Sequence, residues 1–271
     1  MSAFIAGLRS ELTKLLTTRM WWILAIVLFL YIALLSGGLG ALFGAITTGK
    51  IESTGNTPHF GTLAPLIYSF ATSVGYVFPL LLGALSSTGE FKHQTLTPTF
   101  LANPRRAQVL ATKAVSSLGI GAVYGVVALI ASVGAGAVAL SAFGVDTTLG
   151  SGDTWALIGR AILAMALWAA IGVGVGAVIP SQVGSIITVL AFTQFVEPLL
   201  RLAASFSAAT ASIGKFLPGA ASDGLVGASF FTISSPGSST LDWWQGGLVL
   251  LGYAVVLTII GHFVSWRRDV T

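Results

Sequence analysis

From Ala161 to Val196 the chain runs for 36 residues without a single charged side chain. One α-helix of that length would measure about 54 Å, against a bilayer hydrocarbon core of about 30 Å. The run therefore has to contain two spans, and Pro180, Ser181 and Gln182 supply the turn that divides them. Comparable apolar stretches recur elsewhere and predict six spans in all: Trp21–Ala45, Leu63–Ser86, Lys113–Ser141, Thr154–Ile179, Gly184–Ala203 and Leu241–Ser265. The predicted fold class is an all-α integral membrane protein, a single transmembrane domain covering residues 1–271. Only 8% of the residues are charged, too few to cover a water-soluble domain, where about 25% is usual.

Orientation is read from Lys and Arg. Arg9, Lys14, Arg19, Lys92, Arg105, Arg106, Lys113, Arg267 and Arg268 fall on one side of a six-span arrangement. Lys50, Arg201 and Lys215 fall on or near the other, and Arg160 lies inside a span. The positive-inside rule places the richer side, and both termini, in the cytoplasm of a cell bounded by its plasma membrane. Trp21, Trp22 and Trp266 mark inner span ends, while Trp155, Trp243 and Trp244 mark outer ones, as expected of interfacial aromatic belts. The first apolar stretch is too long for a signal-peptide core, so an uncleaved span is expected. Ahead of it, Phe4, Ile5, Leu8, Leu12, Leu15 and Leu16 recur at helical spacing, which predicts an amphipathic helix over residues 1–19 lying at the inner interface with membrane lipids.

Soluble chemistry is largely excluded. There is no cysteine, no P-loop and no H-E-x-x-H, and His59, His93 and His262 are far apart. No G-x-S-x-G elbow or close carboxylate pair is present, so neither an enzyme nor a metal site is expected. The net charge of +4 is dispersed between apolar runs, which argues against a nucleic-acid partner.

The inner loop over residues 87–112 is the most informative segment. Ser87 and Glu90 have capping-box spacing, predicting a short helix from Thr88 that Pro98 limits. Asn103 and Pro104 read as the start of the third long helix, with Arg105 and Arg106 in its first turn. Positive charge at a helix N-terminus is unfavourable, so lipid phosphate or an acidic partner surface should hold those two arginines. Phe91, His93, Leu96 and Phe100 beside charged groups suggest a docking surface.

Glu90, Phe91, Lys92, His93, Gln94 and Thr95, followed by Pro98 and by Asn103, Pro104, Arg105 and Arg106, resemble the inner loop of ABC-2 type permeases, the membrane subunits of ATP-binding-cassette exporters. The opening Glu11, Leu12, Lys14, Leu15, Thr17, Arg19, Trp21 and Trp22 is similar to the amphipathic start of actinobacterial members, and Leu217, Pro218, Gly219, Ala220 and Ala221 to their segment before the last span. Gln94 stands where many members carry Gly. The resemblance implies that Glu90, Phe91, Lys92, His93 and Thr95, with Arg105 and Arg106, contact an ATPase subunit. Two ATPase chains and two permease chains, a homodimer, would then form the transporter. ATP and Mg would bind to the ATPase partner and no cofactor to this chain. An amphipathic or hydrophobic cargo, such as a drug, a peptide antibiotic or a lipid-like molecule, would be exported. The rival readings are an ATPase-independent secondary transporter or channel, and a membrane immunity protein.

Within the spans, Glu197 and Arg201 are four residues apart on one helix face. Arg160 and Glu197 lie roughly 10 Å deep in the outer half, which predicts an intramembrane cluster of Arg160, Glu197 and Arg201. Pro79 is expected to kink the second span and Pro198 the fifth. Gly40 with Gly44, Gly121 with Gly125 and Gly172 with Gly176 are spaced for close helix packing within the chain. The segment from Ala204 to Thr240 is expected to form short helices or a re-entrant element at the outer face, and Ser239 and Asp242 to cap the last span.

Overall fold

The computed structural model describes residues 3–51, 63–229 and 240–266. Helix α1 covers Ala3–Thr17 and α2 Met20–Thr47; α3 (Leu63–Ser73) and α4 (Val77–Lys92) follow. Then come α5 (Leu96–Ala102), α6 (Arg106–Ala142), α7 (Gly152–Val178) and α8 (Gln182–Ala191). A π-turn, Phe192–Val196, joins α8 to α9 (Glu197–Ala204). After α10 (Ala208–Gly214) and α11 (Pro218–Val226), helix α12 runs over Trp243–Gly261 and ends in a second π-turn, His262–Trp266. Six helical stretches are long and apolar enough to cross a membrane: α2, α3 with α4, α6, α7, α8 with α9, and α12 with its π-turn. The chain is therefore a multi-pass membrane protein by architecture. Arg267, Arg268, Ser239, Phe230 and Phe231 lie outside the described residues.

Helix α7 is the centre of the bundle. Its most apolar window is 78% buried inside the protein, against 17% for α12 and 22% for α8 with α9, which turn large apolar side chains outward. The glycine pairs explain how α7 collects its neighbours. A Cβ placed on Gly172 would sit 2.1 Å from the Leu80 carbonyl oxygen, and one on Gly176 would sit 2.3 Å from that of Ala84. Helices α4 and α7 thus touch backbone to backbone. Gly121 and Gly125 let α6 approach Met165, Ala166 and Ile162 of α7, and Gly40 and Gly44 let α2 approach Ala139 and Phe143. All three pairs are spent on packing within the chain.

Three sequence expectations are corrected. No helix starts at Thr88, because α4 runs unbroken to Lys92 and the Thr88 hydroxyl donates to the Ala84 carbonyl one turn back. The third span opens at Arg106, so Lys113 lies two turns inside a helix instead of at its edge. The Pro79 kink is a full break: α3 stops at Ser73 and α4 restarts at Val77, ahead of the proline that cannot donate to the turn before it. In the fifth span the irregularity likewise precedes Pro198, as the π-turn. At the other helix ends, Ser181 Oγ accepts the Gly184 N–H at 3.2 Å, and Asp242 caps α12 with its own N–H donated to Gln245 Oε1.

The backbone contact between α4 and α7 sets an expected outcome. Gly172→Val forces two helices apart and should destabilise the protein by about 3 kcal/mol or more. Gly134→Val, where a Cβ would meet nothing within 4 Å, should leave stability nearly unchanged. Thermal unfolding in detergent distinguishes the two, and equal losses would contradict the packing described.

Candidate functional site

Two charged clusters occupy different levels of the bundle, one at the end of the second span and one beside its middle. The first lies at the end that carries the α4–α5–α6 connection. Gly7 brings α1 against Thr112 of α6, and the face that buries Leu15 also carries Glu11. Lys113 Nζ lies 2.5 Å from Glu11 Oε2 and 3.1 Å from Glu90 Oε1, and donates to the Ser86 carbonyl at 3.3 Å. Lys14 Nζ lies 2.6 Å from Glu11 Oε1 and 2.9 Å from Glu90 Oε1. Two carboxylates and two ammoniums thus close a neutral ring that ties α1 to α4 and α6. Glu11, Glu90 and Lys113 are buried, while the Lys14 side chain is 41% exposed.

Glu90 was expected to face an ATPase subunit. Instead it is 5% exposed and its Oε1 is shared by two lysines, so it holds the bundle together. Phe91 packs edge-on against Trp266, as does Phe100 of α5. Arg106 lies over the Phe100 ring and donates to the Trp266 carbonyl at 3.0 Å, so the end of the last span accounts for its position. What remains at the surface is Lys92, His93, Thr95 and Arg105, together with Thr97, Pro98 and Leu101 of α5. Helix α5 is hung by buried Leu96, and Leu101 is 82% exposed. Gln94 turns the chain between α4 and α5 at φ +54°, a left-handed conformation that glycine adopts more readily.

The second cluster joins α9 to α11. Glu197 Oε1 accepts from Arg201 at 3.3 Å and from the Gly219 N–H, and Arg201 Nη1 lies 2.6 Å from Asp223 Oδ2. Pro218 opens α11 so that the Gly219 N–H points at the carboxylate, an anion site at a helix N-terminus. A Cβ on Gly219 would come within 2.1 Å of Glu197 Oε1 and 2.2 Å of Arg201 Nη2, so any larger residue there has to displace the ends of both side chains. Arg160 is not a member of this cluster. Its guanidinium lies 5.2 Å from the Trp243 ring centroid, where an aromatic face partners the charge, and Asp223 takes the place expected for it.

Beside the cluster lies a cavity of about 180 Å³. Its lining comes from the α3–α4 break (Ser73, Tyr76), the π-turn and α9 (Thr193, Glu197), and α11 (Ser222, Asp223). Tyr76 lies on the Trp168 ring with centroids 4.4 Å apart, and Trp168 Nε1 donates to Ser222 Oγ at 3.1 Å. Irregular backbone at membrane depth is tolerated where it is buried in protein or lines a cavity, and the interrupted stretches of the second and fifth spans meet here.

No protein-family model matches the chain, and no curated protein sequence does. The roles of these residues therefore rest on their geometry. Sequence reasoning missed Glu11, Lys14 and Lys113 as one network, and it missed Asp223. The available signals were Lys113 inside a helix with no local partner and Asp223 isolated in an Ala- and Ser-rich segment.

The network gives two expected outcomes. Lys113→Met leaves two buried carboxylates short of a cation and should cost about 3–5 kcal/mol, while Lys14→Met, at a half-exposed pair, should cost about 1 kcal/mol or less. Thermal unfolding of the two variants reads the difference. The pH dependence follows from α1. Burial pushes the Glu11 carboxyl up, but Lys113 and then Lys14 outweigh it and hold it below its usual 4.5. Burial pushes the Lys14 ammonium down, and Glu90 and Glu11 outweigh that and raise it above its usual 10.5. The Glu11 contribution is thus full above pH 4.5 and lost as pH falls through its lower folded value. The Lys14 contribution is full below pH 10.5 and lost as pH rises through its higher folded value. Spin labels at Thr13→Cys and Thr97→Cys, in a chain without native cysteine, should report a constant α1–α5 distance across neutral pH that spreads below pH 4.5. A distance unchanged down to complete carboxylate protonation would contradict the network.

Proposed function

We propose that the chain is the membrane-spanning permease subunit of an ABC transporter. In this reading two copies pair in the plasma membrane, and two separate ATPase subunits bind ATP and Mg and drive export of an amphipathic or hydrophobic molecule. The end carrying α1 and α5, and with it both termini, faces the cytoplasm. Helix α11 is the re-entrant element on the outer side, packed between α3, α7 and α12.

One observation supports this most strongly. Helix α5 is a short, firmly hung projection between two spans that exposes a large apolar side chain, Leu101, beside basic Lys92 and Arg105. That is the shape and chemistry of a knob for the groove of a partner with acidic walls. The contact surface is accordingly Lys92, His93, Thr95, Leu101 and Arg105, with Phe91 and Arg106 behind it and Glu90 in the bundle.

A second reading, transport without an ATPase, draws support from the interrupted second and fifth spans around a charged cavity, a pattern of secondary transporters. Affinity purification decides between them. On the permease reading, a P-loop ATPase encoded beside this chain co-purifies with it, and Leu101→Asp abolishes the association while leaving the bundle folded. Substrate flux by the chain alone in liposomes, equal with and without ATP and ATPase, would establish the second reading instead.

A further inference from the structure

The cavity beside Glu197 is equipped beyond what the ion cluster requires. Glu197 is 1% exposed, and its Oε1 takes both Arg201 and the Gly219 N–H, yet its Oε2 has no hydrogen-bond partner among the described residues. Two carboxyl groups face one guanidinium, and Glu197 Oε2 is the carboxyl oxygen that this arrangement leaves without a partner among the described residues. The Ser73 hydroxyl on the same cavity is also without a partner among the described residues. Thr72 and Thr193 donate their hydroxyl protons to the Ser69 and Val189 carbonyls, which leaves lone pairs as what they can offer the cavity. Arg201, bound to the two carboxyl groups, and Gln194, which donates to Thr193 Oγ1 at 3.4 Å, line the cavity as donors, so the acceptors still open to it are Glu197 Oε2, Ser73 Oγ and the remaining hydroxyl lone pairs.

We propose that this cavity binds a small organic cation carrying an alkylammonium group, with Glu197 Oε2 as its counter-ion. An ammonium has three donors and no acceptor, so it complements Glu197 Oε2 and Ser73 Oγ. The ring of Tyr76, held against Trp168, adds an aromatic wall of the kind that receives ammonium groups. Size decides between an organic cation and a bare ion. At about 180 Å³ the cavity exceeds the ~150 Å³ that accommodates benzene. Calcium takes six to eight oxygen ligands and zinc about four ligands, and no group of three or more His, Asp or Glu is placed to hold either among the described residues. The inference gives the permease reading a substrate class, amphipathic amines, but the binding itself requires neither ATP nor an ATPase.

The test uses the purified full-length chain in detergent, without any ATPase, and isothermal titration with benzylammonium and its uncharged counterpart benzyl alcohol. Benzylammonium should bind, and benzyl alcohol should bind at least about tenfold more weakly, the range of a charge-assisted hydrogen bond. Glu197→Gln should weaken benzylammonium by a similar factor and leave benzyl alcohol unchanged. Should Glu197→Gln disturb the fold through Arg201 and Gly219, Ser73→Ala removes an unpartnered hydroxyl without touching that bridge and should weaken benzylammonium severalfold. Equal binding of the charged and neutral ligands overturns the proposal, as does benzylammonium binding that Ser73→Ala leaves intact. Stabilisation by sodium ions without benzylammonium binding assigns the cavity to an inorganic cation and overturns it as well. None of these outcomes depends on whether an ATPase co-purifies, so failure here and failure of the permease reading are separately visible.

Discussion

Charge taken out of water has to be repaid locally, and that constraint organises both charged clusters of this bundle. At one end Lys113 enters the third span two turns from its start, where a lone ammonium would be costly. Glu11 from α1 and Glu90 from α4 neutralise it, and Lys14 restores the balance. The amphipathic opening helix is therefore held by more than a greasy face. Its apolar residues alone would allow it to slide along a membrane surface; the four-membered ring fixes its register against α4 and α6.

Deeper in the bundle the same constraint has a different solution. Glu197 is met by an arginine one turn away and by the N-terminus of a short helix inserted for close approach. Satisfying it needs α11 to be buried, and Pro218 and Gly219 are what let α11 begin against the carboxylate. The compensation is incomplete, since Glu197 Oε2 stays without a partner among the described residues. Glu90 Oε2 in the first ring is likewise without a partner among the described residues, but that ring pairs two carboxylates with two ammoniums, whereas the Glu197 cluster sets two carboxyl groups against one guanidinium beside a cavity. That asymmetry separates a structural clasp from a candidate binding site.

The sequence was legible where physics is local. Span number, the turn at Ser181, the glycine seams and the irregularities near Pro79 and Pro198 follow from hydropathy, backbone chemistry and spacing within one helix. It was opaque where partners are distant along the chain. Glu90 looks like a loop residue beside Lys92 and His93, and only the docking of α1 and α6 reveals that its charge is used internally. Arg160 and Glu197 look like neighbours by depth, yet Trp243 receives the arginine while Arg201 and the Gly219 N–H receive the carboxylate. Depth along a helix was readable; the angular position of each side chain, which chooses its partner, was not.

Helix α4 connects the two clusters. Its 16 residues span about 24 Å, with Glu90 near one end and the break that lines the cavity just before the other. Between them Gly83 meets the Ala169 carbonyl, and Leu80 and Ala84 meet Gly172 and Gly176, so the helix is clamped along its length to the most buried span. Such a helix has little freedom to bend and can move chiefly as a rod together with α7. On the permease reading, force applied to α5 enters α4 at Lys92 and leaves it at the cavity, where the chain is already interrupted at Val74 and Gly75. A continuous second span would absorb that motion over its whole length; a clamped rod ending in a break delivers it to Tyr76 and the wall facing Glu197. On the permease reading the broken helix and the rigid seam would therefore be complementary parts of one linkage, which ends at the break beside Glu197.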